Sequence, residues 1–318
     1  MDKTTASLQH CSGIGGQAVL EGVMMKNGDR YAVAVRKEDG SIVIKEDKFK
    51  GVLAGTPVRK IPILRGFFAL IDSLTLGLKV TDDSAGMYDP EEETDPDSPK
   101  EKLITGLILV ASMAIAVALF ILLPYSVANF LSTKLGNSNL LVLIEGILRL
   151  TIFLIYIVAI SAMKDIRRLY QYHGAEHKCI NCLESGLPLT VENARKSTRL
   201  HKRCGSSFTM FVMLISIILF FFIRTDSHLL RIVLRILLIP VISGISYEII
   251  QLAGRTDNPV INLISGPGLW MQMITTKEPD DDMIKVGMAS VEAVFDWKTY
   301  LEKEFGYEGE QLTPAPEV

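Results

Sequence analysis

Four apolar stretches, each long enough to cross a lipid bilayer, constrain this chain more strongly than any other feature of its sequence. A crossing helix needs about 20 mostly apolar residues. Composition agrees, because 48% of the 318 residues are hydrophobic, 22% are charged and the mean hydropathy is +0.29. Soluble enzymes are rarely so apolar, and pure transporters are rarely so charged. The sequence predicts a mainly α-helical integral membrane protein with about four transmembrane helices, over residues 103–123, 140–163, 208–223 and 229–253.

Three features inside these stretches carry local predictions. The first span is expected to stop at Pro124, because proline interrupts a helix. Glu145 and Arg149 are four residues apart in the second span, so we expect an ion pair at the membrane edge. Arg231 and Arg235, early in the fourth span, are expected to extend their long side chains to the outer interface.

Lysine and arginine are distributed unevenly between the predicted loops, and this sets the orientation. The loop between the first and second spans contains only Lys134. Because basic loops stay in the cytoplasm, we expect the loop over residues 164–206, and with four spans both termini, to be cytoplasmic. The first ten residues are polar, so no cleavable signal peptide is expected. The loop 164–206 holds nine basic residues: Lys164, Arg167, Arg168, Lys178, Arg195, Lys196, Arg199, Lys202 and Arg203.

The basic loop contains the string His173-Gly174-Ala175-Glu176-His177. On a helix the two histidines lie one turn apart, and Glu176 falls within about 60° of His173. This is the inverted order of the H-E-x-x-H motif of zinc hydrolases, in which the histidines bind the metal and the glutamate activates water. The motif predicts His173 and His177 as ligands of a divalent metal and Glu176 as general base. Imidazole and carboxylate ligands favour zinc. The simpler alternative is a polar, solvated helix start.

A catalytic metal needs a third protein ligand, and His201 and Glu248 are the candidates. Glu248 lies about 10 Å inside the membrane boundary, whereas a straight helix from residue 163 would carry the motif about 15 to 20 Å beyond that boundary. One site could include Glu248 only if the chain bends back, for example at Gly174. His201 is therefore placed slightly ahead of Glu248 as third ligand.

The cysteines offer a competing structural site. Cys179 and Cys182 form a C-x-x-C pair, and His201 and Cys204 form an H-x-x-C pair about twenty residues later. Together they could build a Cys₃His zinc knuckle. In a reducing cytoplasm, metal binding or plain burial is more common than a disulfide. The knuckle would leave the H-x-x-E-H string for a second site or for packing.

The rest of the chain divides by composition. Residues 1–60 predict a small β-containing cytoplasmic unit, with β-rich runs at 31–36 and 41–44 around an Asp-Gly hairpin signal. Residues 102–255 form the four-helix membrane domain. Between these two regions we expect an interfacial or re-entrant helix at 61–80 and an acidic linker at 81–101. After the membrane domain we expect a C-terminal cytoplasmic segment at 256–303, which contains an amphipathic helix, and a disordered tail at 304–318.

Six strings in order resemble one family. They are Gly-Gly-Gln-Ala-Val-Leu-Glu-Gly-Val-Met-Met at 15–25, Tyr-His-Gly-Ala-Glu-His-Lys at 172–178, Val-Glu-Asn-Ala-Arg-Lys at 191–196, His-Lys-Arg-Cys-Gly at 201–205, Gly-Ile-Ser-Tyr-Glu at 244–248 and Glu-Pro-Asp-Asp at 278–281. The chain resembles the YqhQ-like bacterial membrane proteins, a family of unknown function whose members are described as metal-dependent enzymes. The resemblance covers nearly the whole chain. It implies a multi-pass protein of the bacterial inner membrane, and it includes His173, Glu176, His177, His201 and Cys204.

The family resemblance leaves two questions open, the role of Cys179 and the role of the 15–25 string. A cysteine at the position of Cys179 is not general in the family, which weighs against the knuckle. The 15–25 string has no derivable chemistry, and packing is the default role for it. If the N-terminal unit folds over the basic loop, Glu21 is a further metal ligand or a carboxylate that orients a histidine.

The sequence thus favours a metal-dependent membrane enzyme, specifically a zinc hydrolase with its motif at the cytoplasmic face. The alternative is a nonenzymatic membrane assembly or interaction factor with a structural metal site. An ion carrier using Glu248 is a third, weaker hypothesis, because four spans without a repeat do not resemble a transporter. The bilayer is the expected partner. A net charge of −3, with neither an overall basic excess nor a basic patch interleaved with aromatic residues, argues against nucleic acid. The substrate is not readable from the sequence.

Overall fold

A computed structural model describes residues 10–89, 99–135, 138–223, 228–256 and 258–308. Within this part of the chain, four helical stretches are long and apolar enough to cross a membrane: Gly106–Leu131, Leu140–Ile160, Gly205–Phe222 and Val233–Ala253. They match the four predicted stretches. The expected mainly α-helical architecture is present, and the length and composition of these helices are those of membrane-spanning helices.

The first span does not stop where the sequence suggested. Helix α2 (Pro99–Val117) passes through a π-helical turn at Ala118–Leu122 and continues as α3 (Leu123–Leu135), so that Pro124 lies inside a continuous helical stretch. The widened π turn changes the hydrogen-bond register beside the proline. The missing proline N–H is therefore accommodated without ending the span.

Three of the charges inside the spans, Glu145, Arg149 and Arg235, form one largely buried cluster. Arg149 on α4 (Ser138–Ile160) donates to Glu145 at 2.8 Å, as predicted for this pair. Arg235 on α8 (His228–Leu237) also binds Glu145, with nitrogen–oxygen distances of 3.0 and 3.3 Å. Arg235 thus has a carboxylate partner near the start of the second span, which the sequence did not indicate. A carboxylate shared by two guanidinium groups satisfies charges that would be costly in an apolar layer.

The N-terminal unit is a four-stranded antiparallel meander of β1 (Gly15–Val19), β2 (Gly22–Asn27), β3 (Arg30–Arg36) and β4 (Ile42–Lys48). The predicted β unit is present, and its Asp-Gly hairpin joins β3 to β4, with Gly40 at a φ of +84°. The sequence indicated only the last two strands. The first two come from the 15–25 string, in which a Cβ at Gly22 would meet the Ala34 carbonyl oxygen at 2.3 Å.

Both faces of this sheet are covered, because alternate residues of its strands point to opposite sides. Val23, Met25, Ala32 and Ala34 pack with α5 (Lys164–Glu184) and α11 (Asp281–Val294). The other face packs against α1 (Leu64–Tyr88). The sheet therefore lies between α1 and α5, the helix that carries the H-x-x-E-H string and is called the motif helix below. The central strands of the sheet are buried.

Helix α1 also reaches the membrane-length helices. It runs to Tyr88, beyond residue 80 where we expected it to end, and its start packs on α9 (Ile239–Ala253). A Cβ at Gly244 would lie 2.4–2.6 Å from atoms of Ile63, so glycine permits this close approach. Gly244 is about 14 to 16 Å from either end of the fourth span. The start of α1 therefore lies at mid-span depth.

The chain bends between the second span and α5. A turn at residues 161–163 ends in Met163, which has extended backbone angles and precedes α5. Gly174, where we considered a break, lies inside the continuous helix α5. A Cβ there would lie 2.0 Å from the Lys277 carbonyl oxygen, so this glycine allows the segment after α10 (Pro259–Thr275) to pass close to the motif.

The segments before the third span and after the fourth span are largely helical. The basic loop contains α5, the short α6 (Val191–Lys196) and the turn leading into α7 (Gly205–Phe222). After the fourth span, the apolar helix α10, which the sequence did not predict, packs on α7 and α9. The expected amphipathic helix is α11, capped by Asp280, and α12 (Trp297–Phe305) follows. Residues 90–98 of the predicted linker and 309–318 of the predicted tail lie outside the described residues, whereas 81–88 belong to α1 and 99–101 to α2.

Candidate metal centre

The motif histidines lie on one face of α5, with ring centroids 4.4 Å apart. The turn before α7 brings Cys204 to them. One ligand atom from each of His173, His177 and Cys204 lies within 4.8 Å of the others, and no second group of this kind occurs in the described part of the chain. Two imidazoles and a thiol at such distances can hold a divalent metal ion of the zinc class.

Backbone carbonyls fix the orientation of both imidazoles. His173 Nδ1 lies 2.8 Å from the Thr275 carbonyl oxygen, and His177 Nδ1 lies 2.6 Å from that of Arg199. A carbonyl oxygen can only accept, so each Nδ1 must carry a hydrogen and donate it. Each neutral ring then has its lone pair on Nε2. This second layer of contacts is the arrangement that orients histidine ligands in metal proteins.

Cys204 and His173 form a close pair, with Sγ and Nε2 3.2 Å apart. Burial alone would raise the pKa of the Cys204 thiol, but the adjacent His173 and His177 hold it well below its usual range. Burial would likewise lower the pKa of His173, and the neighbouring Cys204 outweighs burial and raises it to about 9. Without a metal the pair favours thiolate and imidazolium, and a metal would displace the imidazolium proton.

Glu176 is buried beside the two motif histidines, and one of its carboxylate oxygens lacks a hydrogen-bond partner. Its Oε2 is buried and has no hydrogen-bond partner in the structure. Burial raises the pKa of this carboxyl group, and the neighbouring His177 and His173, with the Gly16 backbone N–H, only partly oppose the rise. A Cβ at Gly16 would lie 2.9 Å from Glu176 Cδ and 2.7 Å from the Met24 carbonyl oxygen. Strand β1 therefore covers Glu176 closely, and a glycine is what permits this.

His201 lies beside the group without joining it. Its ring centroid is 5.7 Å from that of His177, and its Nε2 faces Glu184 Oε2 at 3.4 Å. Gln272 holds the backbone of His201 through both its N–H and its carbonyl, at 2.8 and 2.7 Å. Burial lowers the pKa of His201. The structure therefore places Cys204, and not His201, with the two motif histidines.

Glu248 is engaged elsewhere. Both of its carboxylate oxygens bind the guanidinium group of Arg65, at the crossing of α1 and α9. The chain does bend back, yet the Glu248 side chain lies against Arg65 of α1. The structure does not bring Glu248 to the histidines.

The cysteines of the C-x-x-C pair are also separate from the group. Cys179 faces the Ile284 carbonyl oxygen at 3.8 Å, and Cys182 faces those of Leu187 and Pro188 at 3.7 and 3.5 Å. Burial raises the pKa of both thiols, that of Cys182 to about 11. Protonated thiols are poor metal ligands. The structure therefore does not assemble the Cys₃His knuckle.

Glu21 orients the motif helix without touching a histidine. It occupies the β1–β2 turn with a φ of +48°, binds Arg168 and accepts a hydrogen bond from the Tyr172 hydroxyl at 3.1 Å. Arg168 and Tyr172 precede His173 by one and a half turns or less. The 15–25 string therefore supplies a strand over Glu176 and an anchor for α5.

Glu184, which the sequence did not single out, ties three segments together. It accepts hydrogen bonds from the Ser12 N–H and hydroxyl at 2.9 and 2.7 Å, and it also binds Arg203 and His201. Its side chain is 1% exposed. Only its position two turns after His177 on α5 offered a signal. Glu184 holds the N-terminal segment and the Cys204 turn against the motif helix.

We expect Glu184→Gln to lower stability at neutral pH and to flatten its pH dependence. Burial alone would raise the pKa of Glu184, but His201, Arg203 and Ser12 lower it to about 2 from an ordinary value of 4.5. Its contribution, about 3 kcal/mol, is therefore full above pH 4.5 and is lost as pH falls towards 2. Thermal unfolding of detergent-purified protein between pH 7 and 3 measures this, with the exposed Glu302→Gln as control. Equal pH dependence in both variants would contradict the assignment.

The group opens into a cavity of about 680 Å³. Its polar end contains His173, Glu176, His177, His201 and Cys204, and strand β1 forms one wall. The other walls come from α1, α7 and α9. This volume is typical of small-molecule sites.

Fold and site together define a mainly α-helical protein that combines four apolar, membrane-length helices with a histidine–cysteine group able to hold a metal ion. Residues 61–297 match a family described as "Protein of unknown function (DUF1385)". The chain is 40% identical over 291 residues to "Uncharacterized protein YqhQ" of Bacillus subtilis (strain 168), an alignment that covers 87% of this chain and 90% of that protein. No solved structure gives a significant match. The chain belongs to this YqhQ-like family of unknown function, which confirms the resemblance found in its sequence.

Proposed function

We propose that this protein is a metal-dependent hydrolase of the bacterial inner membrane, with its site at the cytoplasmic face. The observation that carries the proposal is the meeting of three metal-ligating side chains and an unpartnered buried carboxylate oxygen in one cavity. Structural zinc sites close with four protein ligands, whereas catalytic sites have three and an open position. The group of His173, His177 and Cys204 has the catalytic number.

The ligand set fits zinc in its chemistry as well as its spacing. The Thr275 and Arg199 carbonyls leave both Nε2 lone pairs free, and the low pKa of Cys204 supplies a thiolate. Such nitrogen and sulfur donors are those that zinc prefers. When bound there, the ion would act as a Lewis acid and lower the pKa of water at the site.

Glu176 has the properties of a general base that later returns its proton. Its Oε2 is free to accept the proton of a water molecule, and the raised pKa of the carboxyl group favours holding that proton. In the hydrolysis, the water oxygen bonds to the electrophilic atom of the substrate and the bond to the leaving group breaks. Glu176 passes the proton from the water to the leaving atom. Strand β1, packed over Glu176 at Gly16, excludes bulk water from this carboxylate.

The cytoplasmic placement rests on the basic residues and on the packing. The basic loop folds as one body with the N-terminal sheet and α11, and Ser290 on α11 donates to the Ala32 carbonyl oxygen at 2.9 Å. Both ends of the described chain therefore lie on the side of the site. The excess of lysine and arginine in α5, α6 and the following turn assigns that side to the cytoplasm.

A second candidate is a thiol enzyme in which Cys204 is the nucleophile. Cys204 is the N-cap residue of α7, its Sγ lies 3.2 Å from His173 Nε2, and the Thr275 carbonyl orients that ring. A low-pKa cysteine at a helix N-terminus beside a histidine is the usual arrangement of such nucleophiles. The nonenzymatic assembly factor has no comparable support, because a structural site needs neither the cavity nor Glu176.

Alkylation of Cys204 with and without zinc separates these functions. For the metal enzyme, we expect zinc to protect Cys204 from iodoacetamide in chelator-treated protein and to be required for hydrolysis. The exposed Cys11 serves as an internal control that reacts in both cases. Alkylation unaffected by zinc, together with chelator-resistant activity that alkylation abolishes, would replace the metal enzyme by the thiol enzyme.

A further inference from the structure

The cavity joins two chemically different regions. One region holds the histidines, Glu176 and Cys204, and the other is lined by mainly apolar side chains from three helices, together with Ser73, Thr209 and Gln251. A substrate that fills it must present a polar, reactive part to α5 and an apolar part to the opposite walls. The apolar walls are formed by Ala69, Leu70 and Leu74 of α1, Phe208 of α7, and Tyr247 and Ile250 of α9.

The apolar end lies at the depth of the membrane-length helices. Tyr247 and Ile250 precede the end of the fourth span at Ala253 by about 9 and 5 Å along the helix axis. Phe208 follows the start of the third span at Gly205 by about 5 Å. The motif helix, by contrast, begins after the second span has ended and the chain has turned. The cavity thus runs from outside the apolar layer into it.

The apolar end is also open sideways. Helices α1 and α7 each pack on α9, and their cavity-lining residues Ser73, Leu74, Gly205 and Thr209 are exposed. Leu74 is 60% exposed although it is a large apolar side chain. In a membrane, this opening would face hydrocarbon, where an exposed leucine is favourable.

We propose that the substrate is a single-chain, lipid-like amphiphile. Its polar linkage lies against Glu176 and the histidine–cysteine group, and its acyl chain leaves between α1 and α7 into the hydrocarbon layer. A neutral headgroup suits the polar end, because the Arg203 guanidinium there is already neutralised by Glu184. This inference rests on the proposed hydrolase for the reaction, but binding of the amphiphile depends only on the cavity.

The test is photolabelling with a monoacylglycerol that carries a diazirine in its acyl chain, using full-length protein in phosphatidylcholine vesicles. We expect labelling of peptides containing residues 69–74 and 205–209 that excess unlabelled monoacylglycerol suppresses. Labelling of lipid-facing residues elsewhere, such as the exposed Leu107, should not be suppressed. A short-chain diazirine alcohol is the control for a water-soluble occupant.

Two matched variants complete the test. Ser73→Trp places a large ring in the opening, and we expect binding about tenfold weaker. Thr75→Trp, also exposed on α1 but outside the cavity, should bind as wild type does. Neither residue touches the metal group, so metal content should be normal in both.

The outcomes separate the two proposals. Three results would overturn the amphiphile proposal: labelling that excess monoacylglycerol does not suppress, labelling that Ser73→Trp leaves unchanged, or labelling that the short-chain alcohol reproduces. The hydrolase proposal would still stand if zinc protects Cys204 from alkylation. Suppressible labelling in a protein that binds no metal supports the amphiphile and overturns the hydrolase.

Discussion

Replacing His173, His177 or Cys204 by alanine is expected to abolish stoichiometric metal binding. Wild-type protein should bind about one zinc-class ion per chain, since it offers one group of ligand atoms within 4.8 Å in its described part. Loss of an outer-layer partner alone costs about 10- to 100-fold in metal affinity, so loss of a ligand should cost at least about 100-fold. Metal analysis and zinc titration of the purified variants measure this.

The buried thiols provide matched controls for this prediction. Cys179→Ala and Cys182→Ala remove cysteines of the same helix that face backbone carbonyls and not the histidines. Both should retain the metal. If Cys179→Ala or Cys182→Ala lost it while His173→Ala retained it, the knuckle would be the metal site. The same zinc affinity in the alanine variants of all three proposed ligands would also contradict the assignment.

Glu176→Gln is expected to retain the metal and to lose hydrolysis by about 10²- to 10⁴-fold, the usual contribution of a positioned general base. The amide has the size of the carboxyl group, so the packing of Gly16 over this side chain is preserved. However, the amide cannot accept and return the proton. Hydrolysis of a neutral acyl ester amphiphile, measured together with metal content, checks both parts.

Glu192→Gln is the control, because Glu192 is an exposed carboxylate on α6 whose pair is with Lys196. It should leave activity unchanged. Loss of metal in Glu176→Gln would make Glu176 a ligand instead of a base. Unchanged hydrolysis in Glu176→Gln would exclude it from the reaction.

The sequence predicted the local parts of this structure well. Apolar length alone identified the four membrane-length helices, since it depends on composition within about 20 residues. The i, i+4 spacing of His173 and His177 placed both rings on one helix face, as found. The Asp-Gly signal placed the β3–β4 hairpin, and the amphipathic helix expected in the C-terminal segment is α11.

The sequence left open what long-range contacts decide. Cys204 meets the two histidines because the chain bends at residues 161–163 and because Gln272 and Glu184 hold the turn before α7 in place. No local sequence pattern reveals either feature. Glu248 was a reasonable candidate because a carboxylate in an apolar span needs a partner. That partner is Arg65, 183 residues away, which only the α1–α9 crossing brings close.

The 15–25 string shows the same limit. Its glycines suggest tight turns or close backbone approach, and Gly16 and Gly22 do lie in strands where another chain segment approaches closely. Such glycines carry no signal of which segment that is. Helix α10 escaped prediction because Gly266-Pro267-Gly268 interrupts its apolar pattern.

X-ray absorption at the metal edge of purified wild-type protein tests the central claim most directly, because it counts ligand atoms by element. The structure predicts one sulfur at about 2.3 Å and two imidazole nitrogens at about 2.0 to 2.1 Å, with the remaining position filled by a light atom. The sulfur contribution should disappear in Cys204→Ser. A spectrum with three sulfurs, or a protein that binds no metal under zinc-replete conditions, would contradict a metal centre built from His173, His177 and Cys204.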